Sequence, residues 1–169
     1  VGFDPRVLTE GKVDVLAVFK SNEPYTLRKL GFEIVEWSSD DYGIPGMGLT
    51  YIATQDTVDS KKDVTRRFLA ATIKSLHYVI DNPEEALEVV MQYAPNANRE
   101  HQKFMLATEI RDSAGPVTEL YGLGSMGDNQ WKTLYDQLLY HKALDGPFDY
   151  TTAFTNEFLE EIYQNTKFK

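Results

Sequence analysis

The stretch "VDVLAVFKSNEPYTLRKLG", residues 13–31, decides how the rest of the chain is read. Its first seven residues form an apolar run broken only by Asp14. Near-continuous apolar runs of this length belong to strands of a parallel sheet covered on both faces. The run then ends in Lys20, Ser21, Asn22 and Glu23, with Pro24 and Tyr25 directly after. An ordinary turn would place glycine there; amides and a carboxylate invite a functional explanation. In α/β sheets ligands bind just beyond the carboxyl ends of parallel strands.

That position makes Phe19, Asn22, Glu23 and Tyr25 candidate ligand-binding residues, with Tyr42 as a further aromatic. Asn22 can donate and accept, and Glu23 can accept two donors. The aromatic rings can stack a flat ring. A planar, amine-bearing heterocycle suits the set. The competing reading is a helix cap, with Ser21 or Asn22 starting the helix that follows. The sequence leaves both readings open.

Outward from this stretch, residues 4–11 read as a helix that Asp4 caps, Pro5 opens and Gly11 stops. Tyr25 to Leu30 is a predicted short helix ended by Gly31. "FEIVEW" (32–37) and "LTYIAT" (49–54) read as further strands. "SSDDYGIPGMG" (38–48) is loop by composition. From residue 63 the pattern is helical. Phe68 or Leu69, Ile73, Leu76 and Ile80 form one stripe. Asn82, Pro83, Glu84 and Glu85 mark a helix start, with Leu87, Val90, Met91 and Ala94 on its buried face. Further helices are expected over 99–111, from an Asp128 cap to about His141, and over 151–163. "AGPVTELYGLGSMG" (114–127) is a predicted loop. This order gives an α/β fold class with a helix-rich C-terminal segment.

Composition narrows function. The chain has 169 residues and a net charge of −9. Nucleic-acid affinity rests on clustered Lys and Arg, so nucleic acid is no expected partner. There is no cysteine, which removes disulfides, thiolate nucleophiles and Cys-based metal sites. No apolar run reaches the length of a membrane span. The chain opens without an initiator Met, so Val1 is expected to be a processed or internal start.

Catalytic constellations are thin. His77, His101 and His141 fall on separate predicted helices, with no metal-ligand spacing. Such histidines are more often surface or core residues than ligands. Gly122, Gly124 and Gly127 match the spacing Gly-x-Gly-x-x-Gly, yet no strand precedes them, so a helix–helix connection is expected instead of a nucleotide site. Glu84 and Glu85 are explained as first-turn helix charge. Asp40 and Asp41 read as a solvated loop beside Tyr42. No catalytic residue, metal or cofactor is expected.

Three blocks run in a telling order: "LTEGKVDVLAVFKSNEPYTLRKLG" (8–31), "DYGIPGMGLTYIAT" (41–54) and "VTRRFLAATIKSLHYVIDNPEEALEVV" (64–90). A Gly-rich turn then precedes "WKTLYDQLL" (131–139). The succession resembles substrate-binding proteins of ABC importers in the thiamine-pyrimidine-precursor and sulfonate/nitrate-like superfamily. The resemblance implies a type II periplasmic-binding fold of two lobes, of which this chain would be the C-terminal half. Residues 1–42 would end the second lobe, 43–54 would form the return crossing, and 55–169 would be C-terminal helices of the first lobe. It implies that Glu23, with Asn22 beside it, recognises the amino and nitrogen edge of a pyrimidine. It makes Gly43 and Gly46 hinge residues. It implies delivery to an ABC permease, a missing N-terminal lobe as partner, and a periplasmic or extracellular location, with a lipoprotein anchor as one form. Riboflavin-binding members leave the ligand open. Two alternatives share the fold: a sensory domain of a signalling protein, and a fungal pyrimidine synthase. The absence of cysteine disfavours the synthase, which relies on a Cys-rich motif.

Overall fold

A computed structural model describes residues 4–44, 46 and 48–166. Val1, and Pro45 and Met47 of the predicted loop, lie outside these residues. The chain divides into two compact units. One holds Val1–Glu36 and Tyr78–Ala114, the other Trp37–His77 and Gly115–Lys169.

The first unit is built from α1 (Arg6–Thr9), α2 (Glu23–Lys29), α5 (Pro83–Tyr93) and α6 (Arg99–Asp112). Its core is small: Pro24, Leu27, Ala86, Leu87 and Thr108 are buried. Leu27 and Leu87 are 2% and 1% exposed, and each contributes about 2 kcal/mol by leaving water. Helix α6 packs on both α2 and α5. Arg99–Glu88 and Lys103–Glu84 pairs link α5 to α6. These pairs are exposed and add little stability. Asp4 accepts the amide of Arg6 at 3.0 Å and pairs with its guanidinium, which lowers its carboxyl to about 2.

The second unit contains a 3-10 turn at Ser39–Tyr42, α3 (Gln55–Ser60), most of α4 (Lys62–Asp81), α7 (Pro116–Tyr121), α8 (Asp128–Tyr140), a 3-10 turn at Tyr150–Ala153 and α9 (Glu157–Asn165). Ile73, Leu123, Phe158, Leu159 and Ile162 are its buried apolar residues. Asn156 ties α9 to the preceding loop. Its Nδ2 donates to the Met126 carbonyl at 2.8 Å, and its Oδ1 accepts the Met126 amide at 3.0 Å.

Several segments differ from their sequence readings. Among the described residues no segment forms a strand, so the sheet of the expected α/β fold is not seen. Residues 13–19, 32–37 and 49–54 are non-helical but unladdered. A strand exists only through hydrogen bonds to a neighbour, and these segments find none within their units. Most of their large side chains stay in water: Val15, Phe19, Val35, Trp37, Leu49, Tyr51 and Ile52 are exposed. On α4 only Ile73 of the predicted stripe is buried, while Phe68 and Leu76 are exposed. Asn82 occupies the N-cap position of α5 without a side-chain cap bond; its Nδ2 donates back to the Tyr78 carbonyl at 3.0 Å, at the end of α4. Asp128 is the first residue of α8 rather than its cap, and its carboxylate accepts the Tyr150 hydroxyl at 3.1 Å. The predicted 151–163 helix starts only at Glu157, and the predicted 114–127 loop contains α7, opened by Pro116.

Candidate functional site

The turn at residues 19–23 is held by its own carboxylate. The Asn22 amide donates to the Phe19 carbonyl at 2.8 Å. Glu23, at the first position of α2, reaches back four residues, and its Oε2 accepts the Phe19 amide at 2.9 Å. Its Oε1 takes a longer bond from Asn22 Nδ2, at 3.4 Å. Asn22 occupies the N-cap position of α2 without making a side-chain cap bond. The cap reading therefore finds no hydrogen bond behind it. Glu23 is only 9% exposed and Ser21 5%. A carboxylate offers roughly four lone-pair positions, so Glu23 keeps acceptor capacity beyond these two bonds.

Helix α6 grips the same turn from outside. The His101 Nε2–H donates to the Asn22 carbonyl at 3.2 Å. The His101 ring lies flat on Tyr25, with centroids 4.6 Å apart and planes 9° apart. Phe104 meets Tyr25 at 5.0 Å, and Lys29 Nζ stands 5.4 Å from the Tyr25 ring centre. At the far end of α6, Asp112 pairs with Lys20 at 3.0 Å. Burial pushes the Asp112 carboxyl up, but hydrogen bonds from Lys20 and Arg111 outweigh it, so it lies below the ordinary value.

The structure thus brings Phe19, Asn22, Glu23 and Tyr25 together in the first unit. Phe19 presents its ring to solvent, whereas Tyr25 already stacks within the unit. Tyr42 belongs to the second unit, in an exposed 3-10 turn. That turn carries its own capping box from Ser38 and Asp41, and Gly43 closes it at φ +73°. Asp40 Oδ1 accepts the Gly46 amide at 2.8 Å. Asp40 and Asp41 therefore organise the loop from within. The Gly122–Gly127 segment is likewise structural. A Cβ at Gly122 would overlap the Tyr163 ring, whose hydroxyl donates to the Leu123 carbonyl at 3.0 Å.

The sequence marks His101 only as a helical histidine and Lys20 only as part of the polar cluster, and it gives no sign of Phe104 or Asp112 at the turn. Their contacts with the turn join residues 79 and 92 positions apart in two cases, a separation that local periodicity does not register. Two open grooves lie elsewhere. An open groove of about 810 Å³ runs along Arg28 and Gly31 to Val35, and one of about 480 Å³ between α4 and α9 is lined by paired charges such as Lys62–Glu157. Among the described residues no group of three or more His, Asp or Glu could hold a metal ion.

The family described as NMT1/THI5 like matches residues 2–86, half of the chain. The chain belongs to the NMT1/THI5-like family. It is similar to the riboflavin-binding protein RibY of Chloroflexus aurantiacus, with 27% identity over 94% of this chain and 46% of that protein. It is also similar to the formylaminopyrimidine-binding protein of Halalkalibacterium halodurans, with 25% identity over 92% of this chain and 48% of the relative. The chain spans about half the length of these curated relatives. No solved structure matches it.

Proposed function

We propose that the chain is part of a binding protein for a small planar heterocycle of the pyrimidine or flavin class, and that the 19–25 turn reads the ligand. One observation carries the proposal: a largely buried carboxylate, Glu23, fixed by the Phe19 amide and flanked by the Asn22 amide and an exposed aromatic ring. A desolvated carboxylate forms charge-assisted hydrogen bonds with ring or exocyclic N–H groups. A fixed one needs no reordering when ligand arrives. Phe19 supplies a stacking face. The names of the two relatives support the ligand class.

The role is binding, with no bond chemistry. Tyr42 is retained as a contributing aromatic, and Gly43 and Gly46 as hinge residues. The recipient is an ABC permease, and the place of action is the periplasm or cell exterior. No helix among the described residues is long and apolar enough to cross a membrane. The exposed segments 13–19, 32–37 and 49–54 act as strands of a mixed α/β fold when further polypeptide pairs with them. The apolar and β-branched residues in all three favour that state.

Calorimetry on the full polypeptide tests the function. Formylaminopyrimidine, hydroxymethylpyrimidine and riboflavin are titrated beside an aliphatic sulfonate. Saturable binding of a heterocycle and none of the sulfonate is expected. Binding of the sulfonate alone would overturn the ligand class.

A further inference from the structure

Resting on that reading, the geometry around α6 points to a residue that sets affinity from behind the turn. We infer that His101 is a positioning residue for ligand recognition. Its Nε2–H holds the Asn22 carbonyl, the last carbonyl before Glu23, at 3.2 Å. Its ring also covers the face of Tyr25, two residues beyond Glu23. One imidazole therefore holds the carbonyl that leads into Glu23 and stacks on the Tyr25 ring that follows it. A carbonyl only accepts, so the bonded ring must carry its proton on Nε2.

His101 is itself well anchored. Its backbone amide donates to Asn98 Oδ1 at 2.9 Å, the cap of α6. The helix behind it is braced against α5 by the Arg99–Glu88 and Lys103–Glu84 pairs. The imidazole thus transmits the position of the helix to the turn. Phe104 of the same helix meets Tyr25 but offers no hydrogen bond, and the Lys20–Asp112 tie is a surface ion pair, which holds geometry weakly. Without the His101 donor, the Glu23 carboxylate and Asn22 amide keep their bonds to each other but lose their fixed aim.

Two substitutions separate positioning from mere packing. His101→Phe keeps a flat ring on Tyr25 and removes the donor. His101→Gln restores an N–H donor. Calorimetry on the full polypeptide with formylaminopyrimidine and riboflavin, paired with thermal melts, gives the readout. With the heterocycle that the unsubstituted protein binds, His101→Phe is expected to raise Kd roughly five- to tenfold, the worth of about one hydrogen bond. His101→Gln is expected to recover most of that loss. An unchanged Kd in His101→Phe, with or without a fall in Tm, would overturn the positioning role and leave the binding function standing. Failure of the unsubstituted protein to bind either heterocycle would overturn the binding function and this inference with it.

Discussion

Glu23 serves two demands at once. It accepts the Phe19 amide to close the turn, and it stays almost wholly out of water. Gln at this position keeps an acceptor for that amide, so folding should survive. It cannot accept through its second arm, and its NH2 would face the Asn22 NH2. Gly122 is the opposite type of residue, fixed by shape alone. Its φ is +96° and the Tyr163 ring occupies the space a side chain would need. Gly122→Ala is expected to cost about 2 kcal/mol or more, through backbone strain and overpacking. Urea denaturation checks it; a midpoint equal to that of the unsubstituted protein would refute the close packing. The polar end of the apolar run announced Glu23 in the sequence. The glycine spacing at 122–127 was visible too, and its role as a connection rather than a nucleotide site followed from context. The Tyr163 ring that makes Gly122 necessary was not visible, because it comes from a helix 41 residues on.

At the scale of elements, α6 is the support on which the turn rests. The Lys20–Asp112 pair gives it a pH signature. The folded Asp112 carboxyl lies below its ordinary value, so its contribution to stability is present above the ordinary carboxylate range. It is lost as pH falls through the depressed value. The difference in Tm between the unsubstituted protein and Asp112→Asn should therefore exist at pH 7 and vanish in strong acid. A difference independent of pH would show that Asp112 stabilises by packing and not by charge. Helix starts were largely legible: Pro24, Pro83 and the segment from Arg99 all open helices as their sequences suggest. Asn82 was misread because two helix ends compete for one side chain, and the carbonyl end of α4 wins. The three strand readings find no ladder among the described residues. Their apolar pattern is real, but a pattern fixes only what a segment can become when a neighbour is present.

For the molecule as a whole, the exposed apolar residues of 13–19, 32–37 and 49–54 are the feature that most needs an explanation. Large exposed apolar surface normally marks an interaction site. Relatives about twice as long as this chain make further polypeptide the natural partner. We expect residues 1–169 alone to bind a hydrophobic dye and to show little β signal in circular dichroism. The full polypeptide should lose the dye and gain the β signal. Equal spectra per residue and equal dye binding would contradict the strand proposal.

The most direct measurement is a calorimetric titration of formylaminopyrimidine or riboflavin, whichever binds, into the full polypeptide and into its Glu23→Gln form. Glu23→Gln is expected to lose about 1.5–3 kcal/mol of binding, a roughly ten- to hundredfold rise in Kd, with Tm nearly unmoved. Equal dissociation constants for the two proteins would contradict it and leave Glu23 as the clasp of its own turn.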